Sequence, residues 1–190
     1  MPTKPGERKH QILQTLAAML EDPKAEKITT AALAKRLDVS EAALYRHFAS
    51  KAQMFEGLIE FIEQTLFGLV NKISTEEKSG IKQLEAVLTM LLGFAKKNPG
   101  MTKVLIGDAL VNEDERLQAR INQLHDRLES TLKQALRFAV SEKEIPEGVD
   151  ATAQANLMLA FVVGRWHQFA KSGFRRDPTE HWPAQWPMIL

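Results

Sequence analysis

The chain lacks cysteine altogether among its 190 residues. Disulfide bonds and thiolate metal ligands are therefore excluded, and a reducing compartment suits the chain best. Long hydrophobic runs are missing too: no stretch of about 18 consecutive apolar residues occurs, so the sequence predicts no transmembrane helix. The polar segment 1–11 has no apolar core of the kind that a secretory signal needs. We therefore expect a cytoplasmic protein with no membrane partner.

The alternation of apolar and polar residues that marks β-strands is also missing over any useful length. Apolar residues recur every three or four positions instead, and turn sequences such as Asn98-Pro99-Gly100 separate the segments. A hydrophobic fraction of 44% is enough to form a core. We therefore predict an all-α fold of about nine helices, the last beginning at Pro178 behind an Asp177 cap.

Residue sets that carry catalysis are absent from the pattern. No Ser-His-Asp set, glycine-rich phosphate loop or carboxylate pair with a base stands out. His125, Asp126 and Glu129 are the one candidate metal group, but their spacing is more typical of a solvated helix face. The sequence therefore predicts no enzyme, no cofactor and no metal.

The charge is unevenly distributed along the chain. Residues 1–51 contain nine Lys or Arg and six Asp or Glu, a surplus of three positive charges. The remainder holds 16 of the 25 basic and 18 of the 24 acidic residues, a surplus of two negative charges. A basic front on a slightly acidic body favours a polyanion-binding head.

Segment 28–51, ITTAALAKRLDVSEAALYRHFASK, predicts two short helices joined by a tight turn. Ala34 is small enough for close helix contact, and Asp38 tolerates the left-handed backbone that such a turn needs. Val39, Leu44 and Phe48 are the expected apolar anchors. This spacing is typical of a DNA-binding helix-turn-helix, and equally of a plain helical hairpin with a solvated charged face.

The residues at 39–51 carry a specific resemblance. This segment has a Val-Ser start, a tyrosine, a His-Phe pair and a lysine three residues after the phenylalanine, and an apolar helix follows. It resembles the TetR family of bacterial DNA-binding regulators. Two positions depart from the family pattern: Asp38 replaces the usual turn glycine, and Ala49 replaces a frequent proline. Neither change removes a DNA-contacting group. The resemblance implies a DNA-binding domain at 1–50 and a helical core, dimerisation and partner-binding domain at 51–190.

The resemblance also implies roles for individual residues of the head. The expected DNA contacts are Thr29, Thr30, Ser40, Tyr45, His47 and Lys51 at the phosphate backbone, and Glu41, Ala42 and Arg46 nearest the base edges. Arg46 could pair with guanine through both its terminal groups, a contact that contributes about 1–3 kcal/mol to discrimination. Phosphate binding by Arg46 is equally compatible with the pattern.

TetR proteins are dimers that pair through their last two long helices, which here would lie near 117–138 and 151–171. Ala160 and Gly164 would permit close helix approach in the second of them. A buried core helix of a monomer is the alternative. A dimer would place two reading heads about 34 Å apart and predicts a palindromic DNA site.

Stretches of the body carry a closer resemblance. LLGFAKKNPGMTKVLIGDAL, DERLQARINQLHDRLE and WPMIL resemble the nucleoid occlusion branch of the TetR family. That branch implies a nucleoid-associated protein that binds palindromes across the chromosome and disrupts polymers of the tubulin-like division protein FtsZ. The FtsZ tail would dock between the fourth and fifth helices, where the matching residues are Phe61, Phe67, Met90, Gly93, Phe94, Lys97 and Asn98.

Two features of this expected groove have alternative explanations. Gly93 interrupts an apolar helix, where glycine costs about 1 kcal/mol relative to alanine. Close approach of a bound backbone would explain it, and so would packing against a bulky neighbouring side chain. Lys96 and Lys97 could both meet tail carboxylates, or one of them could belong to an ordinary solvated helix end.

Two other functions remain open from the sequence. A conventional TetR repressor released by a small ligand would share the head and the dimer. An interaction scaffold whose head no longer binds DNA would share only the body, and the intact Tyr45, His47 and Lys51 disfavour it.

Overall fold

The computed structural model describes residues 5–22 and 28–190. Within these residues the chain forms nine α-helices, one short 3-10 helix and no strand, which confirms the all-α prediction. None of the helices in this part of the chain is long and apolar enough to span a bilayer. The elements are α1 Pro5–Leu20, α2 Thr30–Arg36, α3 Glu41–Tyr45, α4 Lys51–Glu76, α5 Gly80–Lys97, α6 Pro99–Leu105, the 3-10 helix Asp108–Leu110, α7 Glu115–Ser141, α8 Ala151–Lys171 and α9 Trp182–Ile189.

The chain divides into two compact units. The first comprises Met1–Ile62 and Pro99–Ile121, and the second comprises Glu63–Asn98 and Asn122–Leu190. Helices α4 and α7 contribute residues to both units. The first unit therefore contains the whole helix-turn-helix segment together with α6 and the start of α7.

In the first unit, α1 packs against both α2 and α6. Ile12 and Leu16 of α1 and Leu33 of α2 are almost fully buried, so the apolar stripe of α1 faces the core. Gly100 lies so close to the carbonyl oxygen of Ala17 that a Cβ atom there would collide with it. The glycine of the Asn98-Pro99-Gly100 turn thus permits close contact between α6 and α1.

The core of the second unit forms where α5 packs on α8. Trp166 of α8 is fully buried, and its indole Nε1 donates a 3.1 Å hydrogen bond to the Leu91 carbonyl of α5. Leu84 and Leu88 on the same face of α5 are also fully buried. The bounds of α8 match the predicted helix 151–171, because Asp150 caps it by accepting hydrogen bonds from the Thr152 and Ala153 amides.

The prediction for the last helix was wrong by four residues: α9 begins at Trp182, after His181 in the left-handed conformation, and not at Pro178. Asp177 does cap a turn, accepting hydrogen bonds from the amide and hydroxyl of Thr179. The guanidinium of Arg165 donates hydrogen bonds to the carbonyls of Asp177, Pro178 and Glu180, so this segment forms a turn around Arg165.

Candidate DNA-binding and partner-binding residues

The helix-turn-helix has the local geometry that the sequence predicts. The hydroxyls of Thr29 and Ser40 accept hydrogen bonds from the amides of Ala32 and Ala43, capping α2 and α3. Asp38 adopts the left-handed conformation in the turn, with φ 53°, and the following amide bonds to the Ala34 carbonyl at 3.0 Å. Helix α3 ends at Tyr45.

The capping role of Thr29 and Ser40 leaves their chemistry toward DNA intact. A hydroxyl has two acceptor lone pairs and one donor hydrogen, and capping uses only a lone pair. Both residues are exposed. Each hydroxyl hydrogen therefore remains available for a phosphate oxygen, the role implied for these positions.

Helix α3 and the residue that follows it present the side chains expected at the base edges. Glu41, Ala42 and Arg46 are exposed, as is Tyr45, which is expected at a phosphate. The hydroxyl of Thr30 donates a 2.7 Å hydrogen bond to Oε2 of Glu41. This bond orients the carboxylate at the start of α3 and uses the only hydrogen that Thr30 could offer to a phosphate. Thr30 is therefore better suited to positioning Glu41 than to holding the DNA backbone.

A small pocket of about 160 Å³ lies in the head, with three basic side chains at its edge. Arg8 of α1 lines this pocket together with Arg46 and His47, and the apolar Leu37 and Leu44 also line it. Sequence reasoning missed Arg8. The tertiary fold packs α1 against α2 and places Arg8 at this pocket, and no short-range pattern could show that.

Lys51 is the implied phosphate contact that differs most from expectation. Its Nζ forms an ion pair with the carboxylate of Glu113, 62 residues further along the chain. Its side chain is only 21% exposed, and that of Glu113 only 11%. The ammonium also lies 5.7 Å from the centre of the Phe55 ring. Lys51 is thus already engaged by an internal anion.

In the second unit, Met90, Gly93 and Lys97 lie along one face of α5 and are at least partly exposed. A Cβ atom added to Gly93 would meet nothing within 4 Å. The explanation by a bulky packed neighbour is therefore wrong for the described part of the chain. The open space beside Gly93 can instead admit an incoming main chain.

The aromatic candidates are less accessible. Phe67 is half-buried, and the guanidinium carbon of Arg127 lies 3.7 Å from the centre of its ring. Phe94 is 8% exposed, so only its edge can meet a partner. Phe61 belongs to the first unit, where its half-buried ring meets His10 edge-on at 6.0 Å.

The two lysines at the end of α5 differ. Lys96 Nζ pairs with Asp177 at 2.6 Å. Burial by itself would raise the pKa of the Asp177 carboxyl, but hydrogen bonds from Lys96 and Thr179 lower it to about 2. Lys97 is exposed. Asn98 caps the helix, its side-chain amide donating to the Phe94 carbonyl at 2.8 Å.

Helix α8 has an uncovered strip of apolar and small residues within the second unit. Ala153, Leu157, Ala160 and Gly164 are all exposed, and Leu157 retains 51% of its accessible surface. The opposite side of α8, including Trp166, is buried in the core. The exposed side chains of α7 are largely polar, as at Gln123 and Ser130.

The ring of His125 lies 6.1 Å from that of Trp166, so the histidine packs on the core. Asp126 is exposed, and Glu129 accepts a 3.0 Å hydrogen bond from Asn156. Across the residues that the structure covers, no group of three or more His, Asp or Glu side chains is placed to hold a metal ion.

Comparisons with known proteins define first the class and then the family. Residues 12–58 match the family model of the bacterial regulatory proteins of the tetR family. The fold resembles a TetR-family regulator from Agrobacterium tumefaciens with a TM-score of 0.79 and 17% identity, covering 98% of this chain and 97% of the other. PfmR from Thermus thermophilus gives a TM-score of 0.77 at 24% identity, covering 95% and 97%. The protein is thus of the TetR class, whose members are DNA-binding regulators that act as dimers.

The body identifies the family. Residues 78–190 match the SlmA-like model of the tetracyclin repressor-like C-terminal domain. The nucleoid occlusion factor SlmA of Alteromonas mediterranea is 53% identical over 183 residues, which cover 94% of this chain and 92% of that protein. The SlmA of Marinomonas sp. is 48% identical over 189 residues, covering 100% and 96%. The chain belongs to the SlmA family of nucleoid occlusion factors.

Proposed function

We propose that this protein is a nucleoid occlusion factor that binds palindromic chromosomal sites as a homodimer and there antagonises FtsZ polymers. Septum assembly over the nucleoid is thereby blocked, and the protein acts in the cytoplasm at the nucleoid. The observation that carries the proposal is the identity of about half the residues with SlmA proteins, which extends through the body as well as the head. The proposal involves no catalytic step.

DNA binding is assigned to residues 1–50 with Lys51 directly after them. The support is the capped helix-turn-helix, whose α3 face is exposed and whose cap hydroxyls keep a hydrogen to donate. Ser40, Tyr45, His47 and Lys51 would hold phosphates, and Glu41 would face a base edge. Arg8, Arg46 and His47 border the same pocket. This cluster of basic side chains favours a phosphate as the DNA group that Arg46 contacts.

Dimerisation is assigned to α8, with α7 beside it. The uncovered strip from Ala153 to Gly164 supports this assignment, because burying Leu157 removes apolar surface from water. A Cβ atom added to Gly164 would meet no described atom within 4 Å, so a second helix can approach its backbone closely. A two-fold dimer would present the two α3 helices to two half-sites of a palindrome.

FtsZ binding is assigned to the remaining domain, 51–190, with the exposed face of α5 at its centre. Met90 supplies an apolar contact, Gly93 supplies space for the tail's main chain, and Lys97 supplies a positive charge. Phe61, Phe67, Phe94 and Asn98 are proposed as further contact residues. Since Lys96 is bound to Asp177, Lys97 is the lysine that meets a tail carboxylate.

The test is FtsZ polymerisation followed by light scattering, with the protein alone, with its cognate palindrome, and with a scrambled duplex of equal length. We expect polymers to disassemble fastest with the protein and its palindrome together. Lys97→Glu is the control, since it should bind the palindrome normally and leave polymers intact. Equal polymer stability in all arms would reject the division function.

Mapping bound sites along the chromosome separates this function from the alternative. Many dispersed palindromes away from promoters support occlusion. A single operator beside the protein's own gene, released by a small molecule, would make the protein a conventional repressor.

A further inference from the structure

Lys51 and Glu113 form an ion pair at the border of the DNA-reading head. Lys51 is the first residue of α4, directly after the helix-turn-helix, and Glu113 lies in the turn before α7. Both side chains are largely buried, at 21% and 11% exposure. Such a pair is shielded from water and salt more than a surface pair.

The backbone presents Glu113 in a fixed position. Asn112 adopts the left-handed conformation with φ 63°, and the Glu113 amide donates a 3.0 Å hydrogen bond to the carbonyl of Leu110, which is buried. A left-handed asparagine is a feature of tight turns. The carboxylate is therefore placed beside Lys51 by the turn itself.

The neighbouring acidic groups lie beside an arginine. Arg116 binds Asp114 at 2.7 Å and lies 3.9 Å from Glu56. Glu113 is thus the carboxylate that engages Lys51, while Arg116 of α7 engages the carboxylate of Asp114 and lies near that of Glu56.

A carboxylate on Lys51 conflicts with a phosphate on Lys51. Both are anions that bind an ammonium through oxygen, and a phosphate brought to Lys51 would also be repelled by Glu113. We propose that Glu113 is a built-in competitor for the DNA phosphate that Lys51 binds. Without DNA, Glu113 holds the ammonium; on the palindrome, Lys51 passes from the carboxylate to a phosphate oxygen. This inference rests on the proposed DNA-binding role of Lys51.

The exchange has two consequences. Lys51 must break an internal ion pair before it can contact DNA, so Glu113 lowers the affinity of the protein for every duplex. The fraction of bound protein falls most on random DNA, because that complex is already weak. Glu113 is also released when DNA is bound, so the turn 111–114 loses a tether to the start of α4. The amides of that turn should then exchange faster with solvent in the complex.

The test compares Glu113→Gln, Lys51→Gln and the double variant by fluorescence anisotropy on the palindrome over a series of salt concentrations. Lys51→Gln should weaken binding and reduce the salt slope by about 0.9 for each phosphate that is no longer neutralised. Glu113→Gln should tighten binding roughly three- to tenfold, the scale of one partly buried ion pair. The double variant should show no gain, because the gain requires Lys51.

Glu115→Gln is the matched control. It removes the same charge two residues away, from an exposed position in the first turn of α7. If Glu115→Gln raises DNA affinity as much as Glu113→Gln does, the effect arises from overall charge, and the proposal is overturned. Thermal unfolding of each variant checks that it is folded.

The variants distinguish the DNA-binding role of Lys51 from the competition by Glu113. If Lys51→Gln leaves affinity and salt slope unchanged, the DNA role of Lys51 fails and the competition fails with it. If Lys51→Gln weakens binding but Glu113→Gln weakens it too, Glu113 positions Lys51 and the competition alone is wrong. Slower amide exchange at 111–114 in the DNA complex would likewise overturn the release of Glu113.

Discussion

The candidate surfaces of the head and of the body are built from opposite kinds of side chain. The head exposes short polar groups at helix starts, and several are fixed by hydrogen bonds, such as Thr30 to Glu41. The body offers a shape: an open space at Gly93 next to the half-buried Met90, with an exposed charge at Lys97. DNA recognition by the proposed head residues would depend on hydrogen bonds and charge, and partner recognition by the proposed α5 surface would depend on fit.

This difference indicates which mutations would separate the proposed DNA binding from the proposed FtsZ binding. Replacing an exposed head residue whose side chain caps no helix, such as Tyr45 or Arg46, leaves the core untouched, so DNA binding can be lost without loss of stability. A change at the body surface alters a helix that is buried on its other side. Variants of α5 must therefore be judged on both partner affinity and stability.

The largest expected effect would act on both proposed surfaces at once, because both are proposed to work in a homodimer. Leu157→Arg places a charge in the middle of the uncovered strip of α8. We expect a monomer and a loss of palindrome affinity of roughly a hundredfold or more, since two linked heads bind far more tightly than one. Light scattering coupled to gel filtration measures the mass, and anisotropy measures the affinity.

Thr152→Arg is the control for that variant, because Thr152 is exposed on α8 but lies away from the strip. It should remain dimeric. If the Leu157→Arg protein stays dimeric with unchanged DNA affinity, the dimer contact does not lie on this face of α8.

The second prediction tests how the head distinguishes sequences. Arg46→Ala should reduce the preference for the palindrome over random DNA by about 1–3 kcal/mol if Arg46 pairs with a guanine. Its place at the pocket with Arg8 and His47 instead favours a phosphate. In that case the palindrome and random DNA weaken equally, and the salt slope falls as it does for Lys51→Gln. Competition with both duplexes distinguishes the two roles.

Sequence reasoning succeeded where the cause is local. The two short helices of segment 28–51 and the helix at 151–171 were predicted correctly, and each begins at a cap, Thr29, Ser40 or Asp150, that satisfies amides two or three residues away. The left-handed Asp38 followed from the same short-range logic. The family was inferred from matching sequence segments of the body, because helical periodicity alone does not distinguish one helical family from another.

The misses have distant causes. The segment after Asp177 is shaped by Arg165, twelve or more residues earlier, and Lys51 is engaged by a carboxylate far along the chain. Arg8 reaches the head's pocket only because α1 packs on α2. Local pattern determines caps and turns, whereas the partners of long charged side chains depend on tertiary packing.

The third prediction compares neighbouring lysines. Lys97→Glu should weaken binding of an FtsZ tail peptide about tenfold, since a favourable charge becomes a repulsive one, while DNA affinity and thermal stability stay unchanged. Lys96→Glu instead breaks the ion pair with Asp177 and should lower the melting temperature slightly, with a smaller effect on the peptide. The reverse order of peptide affinities would make Lys96 the contact residue.

The smallest effect gives the sharpest contrast between fit and stability. Gly93→Ala should stabilise the protein by about 1 kcal/mol, because alanine favours a helix interior and the new methyl group meets no neighbour. The same methyl group occupies the space proposed for the FtsZ tail, so peptide affinity should fall a fewfold while palindrome affinity is unchanged.

Gly68→Ala is the matched control. Gly68 lies in the interior of α4, its Cβ would also meet nothing within 4 Å, and it is outside the proposed contact set. Gly68→Ala should raise stability equally and leave the peptide affinity unchanged. If Gly93→Ala also raises stability without loss of peptide affinity, the tail does not approach α5 at Gly93, and the partner surface must be sought elsewhere on the body.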